Sequence, residues 1–200
     1  MSATEQNIYS QSLKVNRQQR EKNNNQQSFT LWLTGLSAAG KSTIATEVDL
    51  WLFENGYRSY VLDGDNTRLG INRDLSFSDS DRKENIRRIA EVCRLFNDAG
   101  VIIVAAYVSP FEEDRTSAKM TIGENDFIEV FIDASIETCK ARDKKGLYAK
   151  AEKGEIENFT GISSKYEVPA SPDIHIITDN CSVEEAVQTI INRLKELDKL

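Results

Sequence analysis

Gly35-Leu36-Ser37-Ala38-Ala39-Gly40-Lys41-Ser42 is a full match to G-x-x-x-x-G-K-[ST], a pattern that dictates its own surroundings: a strand before it and a helix after it. Phe29-Thr30-Leu31-Trp32-Leu33 supplies the short, nearly continuous apolar run of a buried parallel strand, and Ser42 to Phe53 has the composition of a helix. Gly35 and Gly40 can adopt backbone angles closed to other residues, so successive N–H groups turn inward on phosphate oxygens beside the positive end of the following helix. In such a loop Lys41 places a point charge on the β- and γ-phosphates, and the Ser42 hydroxyl ligates Mg²⁺. The expected triphosphate-binding set is therefore Gly35, Leu36, Ser37, Ala38, Ala39, Gly40, Lys41, Ser42 and Thr43, with Ser42 as metal ligand. The motif specifies a nucleoside triphosphate and leaves the acceptor open.

The rest of the chain alternates strand and helix. The first helix is expected to stop at Asn55-Gly56, and Tyr60-Val61-Leu62 forms a second strand ending in Asp63-Gly64-Asp65-Asn66. In open α/β sheets the working groups lie beyond the carboxyl ends of the strands, which brings Asp63 and Asp65 to the edge that carries the phosphate loop. A solvated Asp-Gly turn is the plainer reading of the same residues. An irregular connection, Thr67 to Phe77, leads to a helix capped by Ser78 or Ser80 and running to about Asp98, with Ile86, Ile89, Ala90, Cys93 and Leu95 or Phe96 inward. Arg82, Asn85 and Arg88 fall three apart on it, a spacing that suits anion recognition or a solvated charged face. Val101 to Ala106 reads as the central strand. No Asp of the Walker-B type follows it, so Asp63 inherits that duty, and Ser109 is either a site residue or a cap for the helix from Phe111.

Phe127 to Ile132 and Ile174 to Ile177 complete a sheet of five strands, with short and long helices after Ser135 and Ser182. Between them, residues 142–166 carry Lys144, Lys145, Lys150, Lys153 and Lys165 with Gly146, Gly154 and Gly161, which reads as a lid over polyphosphate or as a surface loop. The sum is a three-layer α/β/α fold over residues 28–200, built on a five-stranded, mainly parallel sheet, preceded by a polar arm or tail at residues 1–27. The length of 200 residues suits one such domain, and a net charge of −7 argues against bulk nucleic-acid binding and for a small-molecule partner. No run reaches the length of a membrane span and the N-terminus has no apolar signal core. Cys93, Cys139 and Cys181 are too scattered for a metal or disulfide framework and point to reduced thiols in a cytoplasmic protein; His175, in an apolar stretch, is expected to be a packed strand residue.

From Leu62-Asp63-Gly64-Asp65-Asn66 onward the chain resembles the adenylyl-sulfate kinases. The resemblance continues through Asn72-Arg73-Asp74-Leu75, Phe77-Ser78, Asp81-Arg82-Lys83-Glu84-Asn85-Ile86-Arg87-Arg88, Ser109-Pro110-Phe111, Phe127-Ile128-Glu129-Val130-Phe131, Lys145-Gly146-Leu147-Tyr148 and Asn158-Phe159-Thr160-Gly161-Ile162. It implies the P-loop kinase fold, ATP as phosphate donor with Mg²⁺, the 3′-hydroxyl of adenosine 5′-phosphosulfate as acceptor, and a homodimer. It implies roles as well: Asp63 orients the hydroxyl and takes its proton, with Asp65 beside it; Arg68, Arg82 and Asn85 bind the phosphosulfate; Phe77 and Phe159 enclose the acceptor's adenine; Lys145 offsets charge on the moving phosphoryl group. Ser109 matches a serine proposed to carry phosphate in some bacterial members, although direct in-line transfer needs only Lys41, Mg²⁺ and Asp63. The chain departs from the family pattern at Ala38, Leu69, Ser76 and Lys144, where glycine, histidine, glycine and proline are common. Two other readings remain: a related kinase for another nucleotide with an anionic tail, and a nucleotide-dependent switch without turnover.

Overall fold

The computed structural model describes Tyr9 and residues 11–200. Five strands, β1 (Thr30–Thr34), β2 (Ser59–Asp63), β3 (Ile102–Ala106), β4 (Phe127–Asp133) and β5 (Ile174–Ile177), form one sheet in the order β2-β3-β1-β4-β5, parallel at every pairing. β1 is central and all five of its residues are buried, as a strand covered on both faces must be. The chain leaves β1 across β3 to reach β2 and returns on the other side as β4. The carboxyl end of β1 is therefore a topological switch point, and Gly35 opens the phosphate loop there.

Among the described residues eight helices surround the sheet: α1 (Arg17–Asn24), α2 (Lys41–Glu54), α3 (Gly64–Arg68), α4 (Asp79–Asp98), α5 (Glu112–Ile122), α6 (Ile136–Arg142), α7 (Leu147–Glu152) and α8 (Val183–Glu196). On one face Ile44, Val48 and Leu52 of α2 and Ile190, Ile191 and Leu194 of α8 pack against Leu31, Leu33, Val130 and Ile132. On the other, Ile86, Ile89 and Cys93 of α4 and Ala118 and Ile122 of α5 pack against Trp32, Ile103 and Ala105. The caps are local: Ser78, Ser135 and Ser182 each accept a hydrogen bond from a backbone N–H three residues on.

Two expectations are corrected and three open alternatives are decided. Val101 to Ala106 is not the central strand, because β3 lies between β2 and β1 and the loop-bearing β1 takes the centre. Asp63 to Asn66 is not a solvated turn, because the Asp63 carboxylate caps the short helix α3. Ser109 does not cap α5: Phe111 is the residue at that end and makes no side-chain cap, while Ser109 is buried at φ 38°. Leu95 is exposed. His175 is not packed, because β5 is an edge strand whose outward residues lie beyond α4 and α5; its Nε2 meets Asp133 Oδ2 at 2.9 Å and its ring stacks on Phe131. Among the described residues no helix is long and apolar enough to cross a membrane, and the three cysteines are unpaired thiols.

Residues 1–8 and 10 of the polar arm lie outside the described part, but Arg17–Asn24 is helical. Eight residues with no buried side chain would not hold a helix alone, so the anchorage is tertiary. The Arg17 guanidinium grips both Asp126 oxygens and the Ser28 carbonyl, Glu21 accepts from the Ser28 N–H and hydroxyl, and Asn24 donates to Gly100 O at 3.1 Å. Arg17→Ala strips a partly buried carboxylate of its cation; it is expected to cost about 2 kcal/mol and lower Tm by about 4–8 °C. A thermal melt checks this, and an unchanged Tm would show the arm to be an ornament.

Candidate active site

The phosphate loop is shaped by one close approach. Gly35 has φ 151°, and a Cβ built on it would lie 2.2 Å from the Ile132 carbonyl oxygen, so this position admits glycine alone. Gly40, at φ 111°, turns the chain into α2. Ala38 holds φ 60° in spite of its methyl group, a left-handed conformation that costs an alanine about 1–2 kcal/mol relative to the ordinary helical region. The Lys41 ammonium is folded back over the loop, donating to Gly35 O at 2.9 Å and Leu36 O at 2.6 Å. Burial lowers its pKa to about 8, against the pull of Cys139, Asp63 and Asp65.

β2 delivers Asp63 directly opposite α2. The Ser42 hydroxyl donates to Asp63 Oδ2 at 2.6 Å, while Asp63 Oδ1 accepts the Asp65 and Asn66 N–H groups at 2.9 and 3.3 Å. A hydroxyl beside a carboxylate is the hard-oxygen pair that suits Mg²⁺, which takes few protein ligands and fills its shell with water and phosphate oxygens.

The segment expected to be a lid folds back on the loop and is fastened at several points. Lys145 pairs with Asp65 of α3, the Tyr148 hydroxyl donates to Ser37 O at 3.0 Å, and Gly161 lies against the Leu36 side chain. Arg82 donates to Thr160 Oγ1 at 2.7 Å, Asn158 O at 2.6 Å and Phe77 O at 3.0 Å. Phe159 is buried edge-on against Tyr148, whereas Phe77 is exposed and carries the Arg68 guanidinium 4.3 Å over its ring. Arg68 also donates to Ser76 O at 2.9 Å. Asn85 is buried and accepts from Asn72 Nδ2.

The structure thus brings Lys41, Ser42 and Asp63 into one cluster, pairs Asp65 with Lys145, and groups Arg68, Phe77 and Arg82 where α3 and α4 meet the lid. It sets Ser109 apart: the side chain is 2% exposed and its Oγ accepts from the Trp32 indole N–H at 3.1 Å. Two supports were missed by sequence reasoning. Trp32, read only as strand filler, lies between Tyr107 and Phe127 and aims its N–H at Ser109. Arg115, with 4% of its side chain exposed, pairs with Glu129 and donates to the carbonyls of Ser109 and Glu167, tying the β3–α5 turn to the exit of the lid. Neither carries a local signal, since an arginine in a helix and a tryptophan in a strand are ordinary; Tyr148, Thr160 and Asn72 do lie in the blocks of resemblance.

Comparison with known proteins agrees over nearly the whole chain. The adenylylsulphate kinase family model matches residues 27–177. An adenylyl-sulfate kinase of Marinobacter nauticus is 53% identical over 183 residues, covering 92% of each chain, and one of Clostridium acetobutylicum is 50% identical over 190 residues, covering 95% of this chain and 94% of the relative. The structure of the Mycobacterium tuberculosis APS kinase CysC in complex with AMPPNP and APS superposes with a TM-score of 0.82 at 45% identity, covering 85% of this chain and 99% of that one.

Proposed function

The chain belongs to the adenylyl-sulfate kinase family, and from that premise we propose that this site moves the γ-phosphoryl group of ATP to the 3′-hydroxyl of adenosine 5′-phosphosulfate, giving ADP and 3′-phosphoadenylyl sulfate. The observation that carries the reading is the placement of Asp63: one carboxylate touches the phosphate-loop hydroxyl of Ser42 and caps the helix that leads to Arg68. Donor and acceptor sides of the site meet on that residue.

The chemistry follows from these positions. The loop N–H groups and Lys41 hold the triphosphate; Ser42 and Asp63 would hold Mg²⁺, which when bound neutralises charge on the β- and γ-phosphate oxygens. Asp63 aligns the 3′-hydroxyl and takes its proton as the new oxygen–phosphorus bond forms and the bond to the bridging oxygen of ADP breaks. Lys145 sits on the lid where it can face the moving charge, with Asp65 holding it meanwhile. Arg68, Arg82 and Asn85 offer only donors to the phosphosulfate, and Phe77 and Phe159 supply aromatic surface for its adenine. Ser109 shapes the turn after β3 through Trp32 and Arg115; its burial supports direct transfer without a phosphoserine. A homodimer is proposed on the resemblance and a cytoplasmic location on the three unpaired thiols; sedimentation at working concentration tests the first, and a monomer would reject it.

The acceptor is tested by ADP release with adenylyl sulfate, adenosine monophosphate, gluconate and shikimate in parallel. Turnover with adenylyl sulfate at least about 100-fold above the others is expected, because a site built on anion donors loses most with an acceptor lacking the anion. Equal turnover across the panel, or nucleotide binding without acceptor-dependent release, would overturn the assignment.

Lys41 adds a pH dependence of known sign. Burial favours the neutral amine in the free protein, whereas a bound polyphosphate favours the ammonium, so binding takes up a proton once the pH exceeds about 8. ATP affinity is expected to be flat below about pH 7 and to fall above pH 8, by up to about tenfold per pH unit. Calorimetry in two buffers of different ionisation enthalpy measures the proton directly; a flat profile from pH 7 to 9.5 would contradict it.

A further inference from the structure

Asn72 is the one fully buried asparagine side chain with an orphaned atom among the described residues. It lies in the connection between α3 and α4, where its Nδ2 donates to Asn85 Oδ1 at 2.9 Å and its backbone N–H donates to Thr67 O at 3.0 Å, while its Oδ1 is sealed from solvent without a partner. A polar side chain kept in such a place must be held for the contact it does make. That contact consumes the carbonyl end of the Asn85 amide. The other end of Asn85, Nδ2, has no partner among the described residues and is not sealed from solvent.

An asparagine amide has an acceptor end and a donor end, and which one faces a ligand is decided by what holds the other. Turning both amides round would strand the Asn72 NH₂ group in place of its carbonyl oxygen, and orphaned buried N–H groups are the rarer of the two. Arg82 stands one turn earlier on the same helix, at i and i+3, and contributes donors only.

We infer that Asn72 is a positioning residue for acceptor recognition: by gripping the carbonyl oxygen of Asn85 from behind, it presents the Asn85 NH₂ to the anionic tail of the acceptor. This rests on the reading of Asn85 as an acceptor contact. Without the grip the amide can rotate and set an oxygen against an anion.

Asn72→Asp keeps the shape and reverses the instruction, since a carboxylate can only accept and draws the Asn85 NH₂ inward. The KM for adenylyl sulfate is expected to rise at least about tenfold, with the KM for ATP within about twofold and kcat within about threefold. Asn72→Ala removes the grip without adding charge and is expected to raise the same KM about three- to tenfold, which covers the case in which a buried carboxylate prevents folding. In an Asn85→Ala background both effects must collapse, because there is no amide left to orient; a merely structural role would persist there. If Asn85→Ala raises the KM for adenylyl sulfate while the Asn72 variants do not, or if their effects survive in that background, the positioning role is overturned and the acceptor reading of Asn85 stands. If Asn85→Ala leaves that KM unchanged, both fall.

Discussion

Asp63→Asn is expected to lower kcat by about 10²- to 10⁴-fold while leaving the dissociation constant for ATP within a few-fold. The substitution is chosen for what it keeps. Asparagine retains one side-chain oxygen, enough to cap α3 through the Asp65 and Asn66 N–H groups, and it ranks with aspartate as a helix cap, so Arg68 stays placed. The new NH₂ can donate to the Ser42 oxygen where the carboxylate accepted, which preserves the contact across the site. What is lost is the negative charge and the basicity: a neutral amide can neither take the proton of a hydroxyl nor complete an oxygen pair for Mg²⁺. A raised Mg²⁺ requirement should accompany the fall in kcat. Steady-state rates at saturating Mg²⁺, with ATP binding measured separately, separate these terms. Near-normal turnover would reject the role given to Asp63.

The parts of the molecule that were legible in the sequence are those whose cause is local. The glycine loop, the serine caps at 78, 135 and 182, and the apolar spacing of α8 each state their structure within a few residues. What was not legible depends on partners far along the chain. α1 has a polar sequence with a capping box at Asn16 and Gln19, and what holds it to the fold is Arg17 reaching Asp126, 109 residues away. His175 sits among isoleucines and looks buried, but the sheet order makes β5 an edge strand, so alternate residues face outward. The exposed Phe77 and the buried Phe159 cannot be told apart by type; the difference arises because Phe159 closes onto Tyr148 within the lid, whereas Phe77 lies on a turn, exposed, with the Arg68 guanidinium over its ring. Site residues were read from motif and resemblance, whereas the supports Arg115 and Trp32, and the grip of Asn72 on Asn85, were visible only once distant elements were brought together.

Gly35→Ala is expected to be the most damaging single methyl group in the chain, at about 3–5 kcal/mol of stability, with no measurable ATP binding by whatever remains folded. The added Cβ would lie 2.2 Å from Ile132 O and 3.2 Å from its carbonyl carbon, both backbone atoms of the adjacent strand β4, so no side-chain rotation can relieve it. Either β1 and β4 separate at their carboxyl ends or the loop swings outward. The first breaks the centre of the sheet, and the second withdraws the carbonyl that Lys41 meets and the N–H groups behind it. Gly56→Ala separates conformational strain from overlap. Gly56 has φ +83° with nothing within 4 Å of a built Cβ, so only the left-handed conformation is penalised, at about 1–2 kcal/mol, and ATP binding should be untouched. Denaturant melts of the two variants give the contrast directly. Equal losses in both would mean that the contact with Ile132 relaxes freely, and that the loop owes its shape to φ alone rather than to the strand it is pressed against.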